Sequence, residues 1–183
     1  MLTFAPLHAG ALDQVLQWRT SPEVTRWMCS DIAPDPAAQR DWFARVAADL
    51  SCRHWLVRVE GRDVGLAYLT DIDPEEGSCE AGFYIGEEDA RRLGGMVLPG
   101  LVNLAFGEMG LRLMRGEVLG GNTNILKMHD LLGYTPTGIR EGAVRKQDGV
   151  HDLHLFELTR ARWEESAVLF RPYRIPVEEA EGA

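Results

Sequence analysis

The sequence predicts an α+β fold, and three observations predict it. Two helical stretches near the N-terminus are followed by three strand-like runs joined only by turns, which reads as an antiparallel meander. A strand–helix–strand–helix alternation comes next and reads as βαβ. The chain then closes on a two-stranded hairpin. Its 183 residues, 45% of them hydrophobic, suit one domain with a real core.

Each element has a local reason. LTFAPL is a short apolar first strand. The helix that begins near His8 should end near Ser21, because Pro22 restricts the residue before it. A second helix carries its prolines at the start, with Trp42, Phe43, Val46 and Leu50 at helical spacing. HWLVRVEG, DVGLAYLTDID and CEAGFYIGEE are the meander, with turn chemistry between them. Pro99 lies in the next apolar helix and is tolerated only near its first turns, so that helix should start between Leu93 and Gly95. RLMRGEVL is a strand, NTNILKMHDLL a helix, and the final hairpin turns around Gln147, Asp148 and Gly149. Residues 1–165 form the expected domain, and residues 166–183 read as a tail with a short helix and a loose acidic end.

Composition narrows the function. A formal net charge of −9 argues against general nucleic-acid or anionic-membrane binding, which calls for a basic face. Cys29, Cys52 and Cys79 are odd in number and far apart, so neither a disulfide framework nor a metal site is expected. No charged-then-apolar leader and no apolar run of bilayer length is present, and the expectation is a reduced, cytoplasmic protein.

Two stretches are candidates for chemistry. In YIGEEDARRLGGMV a strand feeds a helix through a loop holding Ala90, Arg91, Arg92, Leu93, Gly94 and Gly95. A helix N-terminus offers free N–H groups and a positive dipole end, so it suits phosphate, though a Gly-Gly pair before a helix is most often a turn. In GGNTNILKMHDLLGY, Asn122 or Asn124 caps a helix that carries Met128 and His129. A lone histidine among apolar neighbours is usually structural. The two stretches have the same form, in consecutive βα units.

Together these stretches resemble the Gcn5-related N-acetyltransferases over residues 2–164. The family pattern N-x-x-x-x-x-[LM]-[YH]-x-x-x-G-[FY] is present as Asn122, Met128, His129, Gly133 and Tyr134. The blocks LQWRTSPEVTRWM, CEAGFYIG, LAFGEMGL and GIREGAVRKQDGVHDLHLFELTRARW are similar to one branch, the nucleotide-sugar N-acetyltransferases of pseudaminic acid biosynthesis. Neighbouring branches acetylate the N-termini of ribosomal proteins. The resemblance implies α/β/α layering around a mixed, mostly antiparallel sheet that splays between its fourth and fifth strands. It implies acetyl-CoA in that V, with pyrophosphate on the loop at residues 90–95 and pantetheine along Phe83, Tyr84 and Ile85. The family loop reads [QR]-x-x-G-x-[GA]; here one register gives Asp89, Arg92 and Gly94, another Arg91, Gly94 and Met96, and neither is complete.

The implied reaction is direct attack of a neutral amine on the thioester in a ternary complex, which needs no Ser or Cys nucleophile and leaves Cys29 and Cys79 as bystanders. Glu80 is expected as base. Backbone N–H groups near Tyr84 and Ile85 are expected to be free of ladder partners, as donors to the developing oxyanion. His129 stands where the family commonly has a tyrosine acid, and either donates a ring N–H to the sulfur or positions it. The acceptor is expected against the first helices and the hairpin. The apolar side chains in the stretch from Arg26 through Trp27 and Met28 to Cys29 would pack a sugar, and Arg19, Arg26, Arg53, His54, Arg145, Lys146 and His151 are the candidate cations for a diphosphate. Three readings follow. One is acetylation of the 4-amino group of UDP-4-amino-4,6-dideoxy-N-acetyl-β-L-altrosamine, for flagellin glycosylation. The others are protein Nα-acetylation and non-catalytic acyl-CoA binding. The expected partners are a small amine acceptor, with no nucleic acid or membrane, and the expected state is a monomer or homodimer.

Overall fold

The computed structural model describes residues 1–179. Strand β1 (Leu2–Pro6) is followed by helices α1 (Leu12–Thr20), α2 (Pro22–Thr25) and α3 (Pro36–Ala48). Strands β2 (Arg53–Val59), β3 (Arg62–Asp73) and β4 (Ser78–Ile85) form the meander. A 3-10 turn (Glu88–Leu93) leads into α4 (Gly94–Asn103), then come β5 (Leu113–Leu119), α5 (Thr123–Leu131), β6 (Thr135–Lys146) and β7 (Gly149–Thr159). Two short helices follow, α6 (Arg160–Glu165) and α7 (Ala167–Phe170).

The seven strands form one mixed sheet in the order β1-β2-β3-β4-β5-β7-β6. All neighbours are antiparallel except β4 and β5, which run parallel only where Ser78, Cys79 and Glu80 pair with Leu113, Met114 and Arg115. Past Glu80 the two strands part: β4 continues on β3 to Ile85, while β5 stays on β7 to Leu119. This is the expected splay.

Local chemistry explains the boundaries. Ser21 is extended (φ −66°, ψ 144°), as a residue before proline must be, and Pro22 opens α2. Asp35 caps α3 by accepting from the amides of Ala37 and Ala38 at 2.8 and 3.3 Å. The apolar stripe expected on α3 is corrected: the helix stops at Ala48 and Leu50 is 82% exposed, with Trp42, Phe43 and Val46 only half-buried. Helix α4 starts at Gly94, inside the expected window, and keeps Pro99 in its interior, where the Gly95 carbonyl finds no amide partner four residues on.

Helices cover both sheet faces. On one, Val97, Leu101 and Val102 of α4 pack with Phe4, Val57, Leu69, Cys79 and Met114. On the other, Val15 and Trp18 of α1 pack with Leu56, Leu66 and Tyr84. The loose tail expected over residues 166–183 is also corrected as far as residue 179, while residues 180–183 of its acidic end lie outside the described residues. Phe170 (1% exposed) and Ile175 belong to the α4-side core, the Asn103 amide donates to the carbonyls of Phe170 and Tyr173, and Glu178 meets Arg58 at 2.7 Å. Val177 bridges β1 at Phe4 and so covers that sheet edge. Among the described residues no helix is long and apolar enough to cross a membrane.

Candidate active site

The gap between β4 and β5 opens into a cavity of about 680 Å³. Side chains alternate across a strand, so the two faces of the sheet feed it differently. Glu80, Gly82 and Tyr84 share the α1 face of β4, while Ala81, Phe83 and Ile85 face α4 with the main core. On β5, Glu117 points with Arg115 to the α1 face, and Gly116 to the other. The cavity is lined by residues of both sets.

Glu80 lies at the last parallel pair, opposite Arg115. Burial raises its pKa above the usual carboxylate range; Glu117 and Asp71 add repulsion, and Arg115 and Arg140 offset part of it. Arg115 is engaged by Glu76 at 2.6 Å and by the Ser78 hydroxyl at 3.1 Å, so it does not lock Glu80 in an ion pair. Glu117, held by Arg140, lines the same cavity. Sequence reading missed Glu117. Alternation along RLMRGEVL places it on one face with Arg115, but its approach to Glu80 needs the parallel register of β4 and β5.

His129 reaches the cavity from the other face. It is 4% exposed, packed on Tyr134 and Phe156 with ring centroids 4.4 and 4.8 Å away. Gly116 makes room for it: a Cβ there would lie 2.7 Å from His129 Nε2. Nδ1 is 2.9 Å from the Ile125 carbonyl, which can only accept, so Nδ1 carries the proton. Burial lowers the pKa of the ring, which is therefore neutral with a bare Nε2. The N–H expected for a general acid is spent on the backbone, and toward the cavity His129 is a hydrogen-bond acceptor.

The exposed edge of β4 supplies donors. The amides of Gly86 and Glu87 both bond the Val64 carbonyl, at 2.9 and 3.1 Å, a two-against-one β-bulge at the strand end. Gly86 is thus a hydrogen-bonded partner of Val64, and the antiparallel alternation assigns Tyr84 and Gly82 the same role with Leu66 and Tyr68. Phe83 and Ile85 then turn their N–H groups away from β3 toward the gap. Of the two amides expected to be free, Ile85 fits and Tyr84 does not; Phe83 takes its place.

At the far end, Arg91, Gly94 and Gly95 line the cavity, as do Asn122 and Met128, whereas Ala90, Arg92 and Leu93 do not. Asn122 caps α5 through a long 3.5 Å bond to the Ile125 amide. The α4 N-terminus is less bare than expected, because the 3-10 turn runs straight into it and the Gly94 amide already bonds the Arg91 carbonyl. Arg91 has no ion-pair partner among the described residues and remains a cation for an anionic ligand. Free β4 amides, a glycine-floored helix start and an unpaired arginine are a donor set that fits an extended, phosphate-bearing molecule such as acetyl-CoA.

Another part of the wall is formed by Arg26, Trp27, Met28, Cys29 and Ser30, with Arg26 stacked 4.7 Å over Trp27. Arg145 and His151 are corrected: neither lines this cavity, Arg145 is exposed, and His151 pairs with Asp148 at 2.9 Å. Their neighbour Lys146 turns inward instead. Its side chain is 2% exposed, donates to the Thr25 carbonyl at 2.6 Å and lies 3.6 Å from Asp31, which also accepts from the Gln147 amide at 2.8 Å. The hairpin tip is thereby fastened to the wall of the cavity. Among the described residues no cluster of His, Cys, Asp and Glu is arranged to hold a metal ion.

Comparison with known proteins agrees with this geometry. The acetyltransferase (GNAT) domain family matches residues 1–135. No curated protein matches the sequence. The fold is similar to that of spermidine N-acetyltransferase from Vibrio cholerae in complex with CoA and spermine, with TM-score 0.82, 13% identity, and 89% of this chain and 98% of that one covered. A candidate acetyltransferase from T. thermophilus gives TM-score 0.73 at 18% identity, covering 93% of this chain and 92% of that one.

Proposed function

The chain belongs to the GNAT acetyltransferase family, and from that premise we propose that it moves the acetyl group of acetyl-CoA to a primary amine that enters from the α1 face beside Glu80. The observation that carries this is the splay itself: it joins an acceptor face, where the carboxylates stand, to a donor face, where the free β4 amides and Arg91 stand.

Acetyl-CoA supplies an acetyl group already activated as a thioester. The chain's own residues do the rest. Glu80, with its raised pKa, takes the ammonium proton, and Glu117 beside it favours the positive charge of an arriving amine. The Phe83 and Ile85 amides bind carbonyl oxygen along β4 and stabilise charge that develops there. His129 Nε2 accepts a hydrogen bond and positions what donates it; it is not the proton source. A thiol's ordinary pKa of about 8.5 lets the leaving sulfur take a proton from solvent near pH 7.

For the acceptor, the nucleotide sugar of the pseudaminic acid route is supported by Arg26, Trp27 and Met28 in the cavity wall. Of the cations it was expected to use, Arg19 and Arg26 line the cavity and Arg145 and His151 do not. The pair Glu80 and Glu117 favours a second reading, in which the acceptor is a cationic amine such as a peptide N-terminus or a polyamine. Acetyl-CoA consumption with the UDP-4-amino sugar, N-terminal peptides and spermidine in parallel decides. Turnover of the sugar alone supports the first reading, and turnover of peptide or polyamine alone removes it. CoA binding without turnover of any amine contradicts acetyl transfer.

A further inference from the structure

We propose that a second cavity, between α1, α3 and the sheet, binds a planar aromatic group carrying a negative charge, and that the acceptor brings this group to the adjoining cleft. The cavity measures about 500 Å³, room for a small molecule. It shares Arg19, Met28, Ser30, Tyr68, Thr70 and Tyr84 with the main cleft, so one molecule can occupy both.

Its walls set the ligand's shape. Trp42, His54 and Tyr68 line it as a connected aromatic set: Trp42 meets His54 edge-on at 5.2 Å, and His54 stacks on Tyr68 at 5.5 Å. Such walls hold a flat ring by offset or edge contacts. Gln39 is buried yet lines the cavity, so its amide offers one donor and one acceptor to a ring edge.

Its charges set the ligand's sign. The basic side chains are Arg19 and Arg45, and neither has an ion-pair partner among the described residues. Arg19 is steadied by the Ser30 carbonyl and hydroxyl at 2.8 and 2.9 Å. Asp35 is the one carboxylate in the lining, and it is occupied in capping α3. His54 is neutral down to about pH 4 and the Tyr68 phenol up to about 12, so neither changes the balance. A polyamine would set its cations against two arginines here.

The link to the acceptor rests on the proposed acetyl-transfer reading; the ligand class of the cavity does not. The test is calorimetric titration of UMP, an aromatic ring with a phosphate, into the CoA-saturated protein, so that the nucleotide end of the main cleft is filled. UMP is expected to bind, with uridine and inorganic phosphate each at least tenfold weaker and spermidine unable to displace it. Trp42→Ala and Arg45→Gln should each weaken UMP about tenfold and leave CoA affinity unchanged; should Trp42→Ala fail to fold, Trp42→Leu and the exposed Arg45 variant serve. No UMP binding, binding that the variants do not move, or displacement by spermidine overturns the proposal. If CoA itself does not bind, the acetyl-transfer reading fails, and titrating UMP into the free protein through the same variants still decides the cavity.

Discussion

Glu80 and His129 approach one opening from opposite faces of the sheet, and burial acts on them in opposite chemical directions. It raises the carboxyl pKa, which makes Glu80 a better proton acceptor, and lowers that of the imidazole, which keeps His129 neutral. For Glu80 the folded protein keeps its proton to higher pH than the unfolded chain does. Stability therefore falls as pH rises from the ordinary carboxylate value through the raised one. Glu80→Gln should abolish that fall in denaturant titrations between pH 4 and pH 7, and a fall that persists in the variant would assign it to another group. Gly116 is the matching constraint on His129. Gly116→Ala puts a methyl 2.7 Å from Nε2, and overpacking should cost roughly 1–3 kcal/mol and displace the ring; an unchanged melting temperature would show that the pocket yields. The sequence motif singled out His129, and the family resemblance pointed to Glu80 on the fourth strand. Neither could show the tautomer of His129, because the Ile125 carbonyl becomes its partner only once α5 has formed.

At the scale of elements, the hairpin β6–β7 matters less for the charges on its surface than for its buried lysine. Lys146 and Arg145 are neighbours in sequence, and alternation on the strand sends one inward and the other to solvent. Periodicity in a long, exposed edge strand does not say which of the two turns inward. Lys146→Met should loosen the wall at residues 25–31 and speed its amide exchange at least about tenfold, equivalent to ~1.4 kcal/mol; protection equal to the wild type would show that the Gln147–Asp31 bond suffices. Helix α3 teaches a similar lesson. Its apolar spacing is genuine, but the helix stands over a cavity rather than a filled core, so Trp42 stays half-buried. Beneath it, burial depresses His54 to about 4. Stability from keeping His54 neutral is present above pH 6.5 and is lost as pH falls toward 4, up to about 3 kcal/mol across that window. His54→Phe should flatten urea-unfolding stability over that range, and an unaltered pH slope would contradict the assignment.

At the scale of the whole molecule the order of elements was legible because turns, caps and prolines are local signals, whereas the layering and the place where the sheet opens followed only from the family resemblance. The closure of the fold was not legible. Residues after Glu165 have no periodicity that announces a core, yet Phe170 and Ile175 pack against α4 and Val177 covers β1. Phe170→Ala should therefore destabilise the protein by about 3–5 kcal/mol in equilibrium unfolding, where a loose tail would give no change. That packing also steadies α4, whose N-terminal end lines the cleft. The proposed acetyl transfer comes down to Glu80 as the base on the α1 face of the sheet. Its most direct test is Glu80→Gln assayed with saturating acetyl-CoA and a competent amine, beside acetyl-CoA affinity by calorimetry. A loss in turnover of about 10²–10⁴-fold with affinity unchanged is the expected result; wild-type turnover in that variant would contradict it.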